Sequence, residues 1–315
     1  MLTLFNILSV AYRVIKIGPA NLFNKSSITE EISYGSNGSL ALLVSHVLVA
    51  LSCMTALYSV SAARKDDSYK KYAIINVICL LISYFPTNLS RYATAAVYGS
   101  LLLVSIPKLK KSRLFIVGFT LAFLVIFPFL NNYKNSDIAN VDFIDSVTQS
   151  IKSIPTCWTE VNYDSYTTYT LTLDEVRKNG TTNGYQLLGA LLFFVPRSIW
   201  SNKPIGSGDF MAKKLGTFTN ISCSFPGEGY VNFGVVGIVL FGLLMGFFMN
   251  YLDNVYWENE KRNSIRISTL YPVLLMMLFF ILRGDLMSSY AYTFAFVFTW
   301  FIVDRICLPQ VSEDN

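Results

Sequence analysis

The residues best suited to chemistry gather in two stretches. The run FFVPRSIWSNKPIGSGDF (193–210) carries Arg197 and Lys203 around Trp200, and Lys213 and Lys214 follow it. Four cations beside an apolar segment call for an anion. A guanidinium grips a phosphate through two parallel charge-assisted hydrogen bonds, and an ammonium adds a point charge. The run LFFILRGDLMSSY (278–290) places Arg283 at the end of an apolar stretch, immediately before Gly284 and Asp285, and Arg91 closes another such stretch. Each of these cations also has a plainer use, snorkelling to a membrane surface or meeting lipid headgroups. Glu228 stands between two glycines in PGEGY (226–230), at the expected start of a helix. There it can cap that helix. Alternatively it can act as a base, since flanking glycines let a ligand approach the backbone.

Other chemistries lack their residues. Five cysteines without a CxxC pair and the single His46, inside a charge-free run, assemble neither a zinc nor a haem site. His46 is expected to pack inside a helix bundle. Walker, DxD and GxSxG patterns are absent, which argues against metal–nucleotide chemistry and a serine hydrolase. Asn-x-Ser/Thr triplets, such as those at Asn37, Asn88, Asn179 and Asn220, are too short a pattern to carry meaning alone. Cys157 and Cys223 share one loop and could pair in an oxidising compartment.

The elements that position these residues follow from composition. Of 315 residues, 53% are hydrophobic and 14% charged, against about 25% charged in an ordinary soluble domain. With a mean hydropathy of +0.45, the chain reads as an all-α polytopic integral membrane protein with about eight transmembrane helices, roughly 20 residues each, forming a single membrane domain over 1–315. The apolar start, Met1 to Val10, lacks the basic region and cleavage site of a signal peptide. Charge-free windows place spans at Ile32–Ala63, Tyr72–Ser90, Tyr92–Pro107, Leu114–Tyr133, Gly229–Leu252, Ile267–Leu282 and Leu286–Val303. Met1–Ile17, interrupted by Arg13 and Lys16, either spans or lies along the interface.

The net charge of +5 is distributed by loop and carries no nucleic-acid signal. Arg64, Lys65, Lys70 and Lys71 crowd one connection, Lys108, Lys110, Lys111 and Arg113 a second, and Lys261, Arg262 and Arg266 a third; alternating spans put all three on one side, cytoplasmic by the positive-inside rule. The opposite face then carries one long loop, 132–230, holding the proposed active site. Connections beyond about 15 residues are usually functional. Within it, Ile144, Val147, Ile151 and Ile154 recur at helical spacing, with Asp142, Asp145, Gln149 and Lys152 on other faces. That is the pattern of an amphipathic helix resting on a membrane. The uncharged run Asn179–Pro196 is expected as a re-entrant or surface-lying helix, because a full span would invert the later loops. Tyr163–Tyr169, rich in Tyr and Thr, reads as loop or short extended structure.

From about Gly35 onward the chain resembles bacterial oligosaccharide repeat-unit polymerases, the Wzy type that builds O-antigen and other surface polysaccharides. The resemblance rests on Phe194-Val195-Pro196-Arg197-Ser198-Ile199-Trp200 with Lys203-Pro204, on Gly227-Glu228-Gly229-Tyr230-Val231-Asn232-Phe233-Gly234 opening a span, and on Arg283-Gly284 closing another. Family members are often longer, and the match is weakest before Gly35. The resemblance implies a glycosyltransferase of the bacterial cytoplasmic (inner) membrane, its active site facing the periplasm or outside. It would join undecaprenyl diphosphate-linked oligosaccharides, donor to acceptor, as in lipopolysaccharide O-antigen biosynthesis. No cofactor or metal is implied; membrane lipids and a chain-length regulator membrane protein are the implied partners. Catalysis would fall to Glu228, Arg197, Arg283 and Asp285, and substrate binding to Arg91, Lys203, Trp200, Tyr230, Asn232, Lys213 and Lys214. An O-antigen ligase or related lipid-linked glycan transferase would share most of this chemistry. A polysaccharide or lipid transporter would need no catalytic carboxylate.

Overall fold

The computed structural model describes residues 1–17, 38–86, 88–110, 113–126, 143–152, 155–156, 165–216, 221–261 and 264–312. Among these residues the secondary structure is helical throughout. Among the described residues, four helices are long and apolar enough to cross a membrane: Leu43–Ala63, Phe225–Asn259, Ile265–Arg283 and Leu286–Cys307. Leu2–Tyr12 and Arg113–Ile126 are shorter apolar helices. The window Tyr72–Ser90 is cut short: its helix is Lys70–Ser83, about 21 Å at 1.5 Å per residue. Pro86 follows three residues later, and a proline disfavours helical backbone in the residue before it. Arg91–Ser105 contains a π-helical turn at Ala95–Gly99.

The chain divides into two compact units, 1–158 with 264–276 and 295–315, and 159–263 with 277–294. In the first, polar groups tie apolar helices together. Asn6, 3% exposed, donates to Asn76 Oδ1 at 3.2 Å and accepts from Ser52 Oγ at 2.9 Å, while Asn76 donates to Thr3 Oγ1 at 3.1 Å. Asp304 accepts from Tyr58 Oη at 2.7 Å and pairs with Arg266 Nε at 3.1 Å, which joins helices Gly38–Ala63, Ile265–Arg283 and Leu286–Ser312. Interhelical hydrogen bonds of this kind contribute about 0.6 kcal/mol each in membranes, up to about 1.7. His46 is half-buried in the helix Gly38–Ala63.

In the second unit a core of Val176, Met211, Ala212, Ile221, Cys223 and Val231 joins short helices to the start of the long helix Phe225–Lys261. Ser165–Asn179 is a helix, which corrects the loop or extended reading of 165–169. Threonine's weak helix propensity is overridden here by packing, with the hydroxyls satisfied locally. Thr168, Thr170 and Thr172 turn their hydroxyls onto carbonyls three or four residues back. Thr168, Thr172 and Val176 are also buried against the rest of the unit. The run 179–196 holds one helix, Tyr185–Leu191, about 10 Å long and far short of the roughly 30 Å of a bilayer core. Phe143–Lys152 is helical where an amphipathic helix was expected, with Ile144 and Ile151 exposed; Asp142 and Ile154 lie outside the described residues, as does Cys157.

The longest helix among the described residues, Phe225–Lys261, is two helices meeting at a break. Phe233 leaves the helical region, and Gly234 adopts φ 64°, ψ −148°, a combination open essentially to glycine. A Cβ on Gly237 would run into the Gly229 carbonyl. Eight residues apart in a straight helix, these glycines would be about 12 Å apart, so the short arm 225–232 folds back onto the long one. The carbonyls freed at the break find donors in the turn 180–184: Thr182 N–H to Val231 O at 2.8 Å and Gly184 N–H to Asn232 O at 3.2 Å.

Candidate functional site

Every candidate residue except Arg91 lies in the second unit. Arg91 is half-buried at the start of helix Arg91–Thr94 in the first.

The loop 192–206 exists because the helix Tyr185–Leu191 stops at Leu192 and Pro196 prevents its resumption. It is held to that helix by a close approach: a Cβ at Gly189 would collide with the Pro204 ring. Within the loop, Arg197 Nη1 donates to Lys203 O at 2.7 Å and Nη2 to Pro204 O at 3.3 Å, while Lys203 Nζ donates to Phe193 O at 2.5 Å and Val195 O at 2.9 Å. Arg197 is exposed and Lys203 half-buried. Among the described residues neither forms an ion pair with a carboxylate. Burial, and then the charge of Arg197, hold the Lys203 ammonium below the usual lysine range. Side chains that favour lipid flank the pair, with Phe194 59% and Ile199 79% exposed.

Trp200 meets Tyr185 edge to face, ring centroids 6.0 Å apart, and Phe193 meets Tyr290 and Phe294 in the same manner. Lys213 and Lys214 are exposed on the last turn of Ser207–Leu215, where the helix dipole favours cations. Lys214 Nζ lies 5.8 Å from the centre of the Phe210 ring. Tyr230 is half-buried against the core of the unit. Asn232 is wholly buried and engaged: its Nδ2 donates to Glu228 O at 2.9 Å, and its Oδ1 accepts from Leu187 N–H at 2.9 Å and Thr182 Oγ1 at 3.3 Å. It fastens the break of the long helix to the start of Tyr185–Leu191.

The two acids come together through backbone. Glu228, 1% exposed, accepts from Ser207 Oγ through Oε2 at 2.7 Å and from Leu286 N–H through Oε1 at 2.9 Å. Asp285 accepts from Gly208 N–H through Oδ2 at 3.0 Å and from Ser288 N–H through Oδ1 at 3.0 Å. Residues 207 and 286 each begin a helix, so two helix N-termini, each carrying partial positive charge, point their amides at two carboxylates. Glu228 therefore serves a helix other than its own. Asp285 is half-exposed and Arg283, two residues before it, also half-buried at its helix end. Burial, then the charges of Glu228 and Asp285, push the Cys223 thiol well above its usual range.

Ser207, with Gly206 and Gly208 beside it, was not singled out by sequence. Its hydroxyl is buried on Glu228, and a Cβ at Gly206 would sit 2.5 Å from Asp285 Oδ2, so glycine there lets the carboxylate approach. The only signal was a Gly-Ser-Gly triplet opening a helix. No protein-family model, no curated protein and no solved structure matches this chain.

Proposed function

We propose that this protein is an oligosaccharide repeat-unit polymerase of the bacterial cytoplasmic membrane. The observation that carries the reading is the Arg197–Lys203 pair: two cations fixed on backbone carbonyls, without a carboxylate partner among the described residues, set between exposed Phe194 and Ile199. Such an arrangement suits an anion that arrives attached to a lipid, as a polyprenyl diphosphate does. The resemblance in 194–204, 227–234 and 283–284 points to the same chemistry. In the proposed topology four shorter helical segments, Leu2–Ile17, Lys70–Ser83, Arg91–Ser105 and Arg113–Ile126, join the four long ones to make eight spans, with the loop 132–230 outside.

In the reaction, a hydroxyl on the terminal sugar of the acceptor attacks the anomeric carbon of the donor. The bond from that carbon to the diphosphate oxygen breaks, undecaprenyl diphosphate leaves with the bond's electrons, and the hydroxyl proton passes to a base. Arg197 and Arg283 stabilise the charge growing on the diphosphate, and Lys203 assists. Of the two acids, Asp285 is the one with an exposed edge, so it takes the role of base; Glu228 is enclosed. The Trp200–Tyr185 pair offers rings for sugar faces. The test is chain lengthening by purified protein in liposomes, supplied with undecaprenyl diphosphate-linked oligosaccharide extracted from the producing cells and with no nucleotide. Longer chains support the reading. Absence of product, or transfer only to a lipid A core, overturns it.

A further inference from the structure

We infer that Glu228 is a positioning residue, which with Ser207 closes a ring of hydrogen bonds that fixes Asp285 for the proposed reaction. The inference rests on the polymerase reading above.

The ring can be followed atom by atom. Glu228 Oε2 accepts from Ser207 Oγ at 2.7 Å; the chain passes from Ser207 to Gly208, whose N–H reaches Asp285 Oδ2 at 3.0 Å; the chain passes from Asp285 to Leu286, whose N–H returns to Glu228 Oε1 at 2.9 Å. Three segments distant in sequence meet there, and each contributes either a carboxylate or a helix N-terminus. Gly206 is required by the closeness of Asp285 to the chain, and Asn232 anchors the backbone carbonyl of Glu228 itself. A base has to be held within about 0.5 Å of its working position, and two amide donors on opposite oxygens fix the plane of the Asp285 carboxylate. Asp285 also takes a donor on each oxygen but keeps an exposed edge, whereas the Glu228 side chain is 1% exposed, so its geometry is that of a clasp and not of a group meeting a sugar hydroxyl.

Substitution by the amide separates the two roles. In Glu228→Gln, Oε1 can still accept from Leu286 N–H, and Nε2 can donate to Ser207 Oγ, because a serine hydroxyl also accepts. The ring survives although no proton can be taken. In Ser207→Ala and Glu228→Ala it is opened.

The experiment pairs two readouts on the full-length reconstituted protein: amide hydrogen exchange at Gly208 and Leu286, and kcat with KM for chain lengthening on the extracted lipid-linked oligosaccharide. Glu228→Gln should keep both amides protected and hold kcat within about fivefold of wild type. Ser207→Ala should speed exchange at both amides and lower kcat about tenfold while KM stays within about twofold, since Arg197 and Lys203 are untouched. A Glu228→Gln protein with protected amides and a kcat down by 10² or more, the size of a lost general base, overturns the positioning role. So does Ser207→Ala with faster exchange and unchanged kcat. A wild-type protein that lengthens no chains removes the polymerase reading and this role with it, a result distinct from either of those.

Discussion

Arg197 and Lys203 each donate to the backbone of the segment that carries the other: the guanidinium to Lys203 O and Pro204 O, the ammonium to Phe193 O and Val195 O. The loop is thereby closed by its own cations. Four carbonyls satisfy the hydrogen-bonding geometry without cancelling the charge, so both cations remain electrostatically available to an anion. Arg197→Lys offers a single ammonium in place of two forked donors and cannot span both carbonyls at the same geometry. Polymer should fall at least about tenfold, the scale of a lost charged hydrogen bond, while the amount of folded protein holds. Wild-type chain lengths in this variant would leave Arg197 with headgroup contact alone.

Lys203 gives a pH test of the same pair. Its ammonium is held below the usual lysine range, by burial first and by Arg197 second, so it sheds its proton at lower pH than an exposed lysine. Where the cation is needed for donor binding, the alkaline loss of kcat/KM begins early in the wild type. Arginine stays charged throughout, so Lys203→Arg should move that alkaline limb to higher pH. Superimposable profiles would detach Lys203 from donor binding.

The close packing of Gly189 under Pro204 makes the loop's position testable without touching a charge. Gly189→Ala places a methyl where the proline ring lies, and the loop has to lift. Overpacking of this sort costs about 1–3 kcal/mol. Donor KM should rise severalfold, with a smaller effect on unfolding temperature than Gly234→Ala. At Gly234 the backbone itself, φ 64° with ψ −148°, excludes a side chain. Equal effects of the two substitutions on both measurements would mean the loop does not depend on its seat.

Not every charge-bounded apolar window is helical over its full length, as Tyr72–Ser90 shows, but Leu286–Val303 lies within the helix Leu286–Ser312, and the shorter window Ile267–Leu282 lies within Ile265–Arg283. Composition is enough there because one physical requirement, backbone satisfied inside an apolar medium, decides the structure. The break at Phe233–Gly234 was hidden, since a glycine in an apolar run looks the same whether it packs against a helix or turns a corner. What makes it a corner is the pair of donors at Thr182 and Gly184, fifty residues away in sequence. Ser207 was invisible for a similar reason: a serine between glycines announces a turn, and its significance comes only from Glu228 lying opposite. Glu228 itself was noticed as an acid at a helix start, but the helix whose amide it takes begins at Leu286.

The proposed placement of the loop 132–230 on the outer face rests on charge asymmetry and is open to direct measurement. Asn202 and Lys213 are exposed in the second unit, and Asp67 and Lys108 are exposed in two of the basic connections. On a background stripped of reactive cysteines, Asn202→Cys and Lys213→Cys should react with a membrane-impermeant maleimide in intact cells. Asp67→Cys and Lys108→Cys should react only after permeabilisation. The native Cys223 should stay unlabelled under both conditions: it is 1% exposed, and burial together with Glu228 and Asp285 keeps its thiol protonated, whereas the thiolate is the reacting form. Labelling of Asp67→Cys from outside would reverse the orientation and bring Arg197 and Lys203 to the cytoplasmic face. A polymerase acting outside could not use them there, and the proposed function would fall with them.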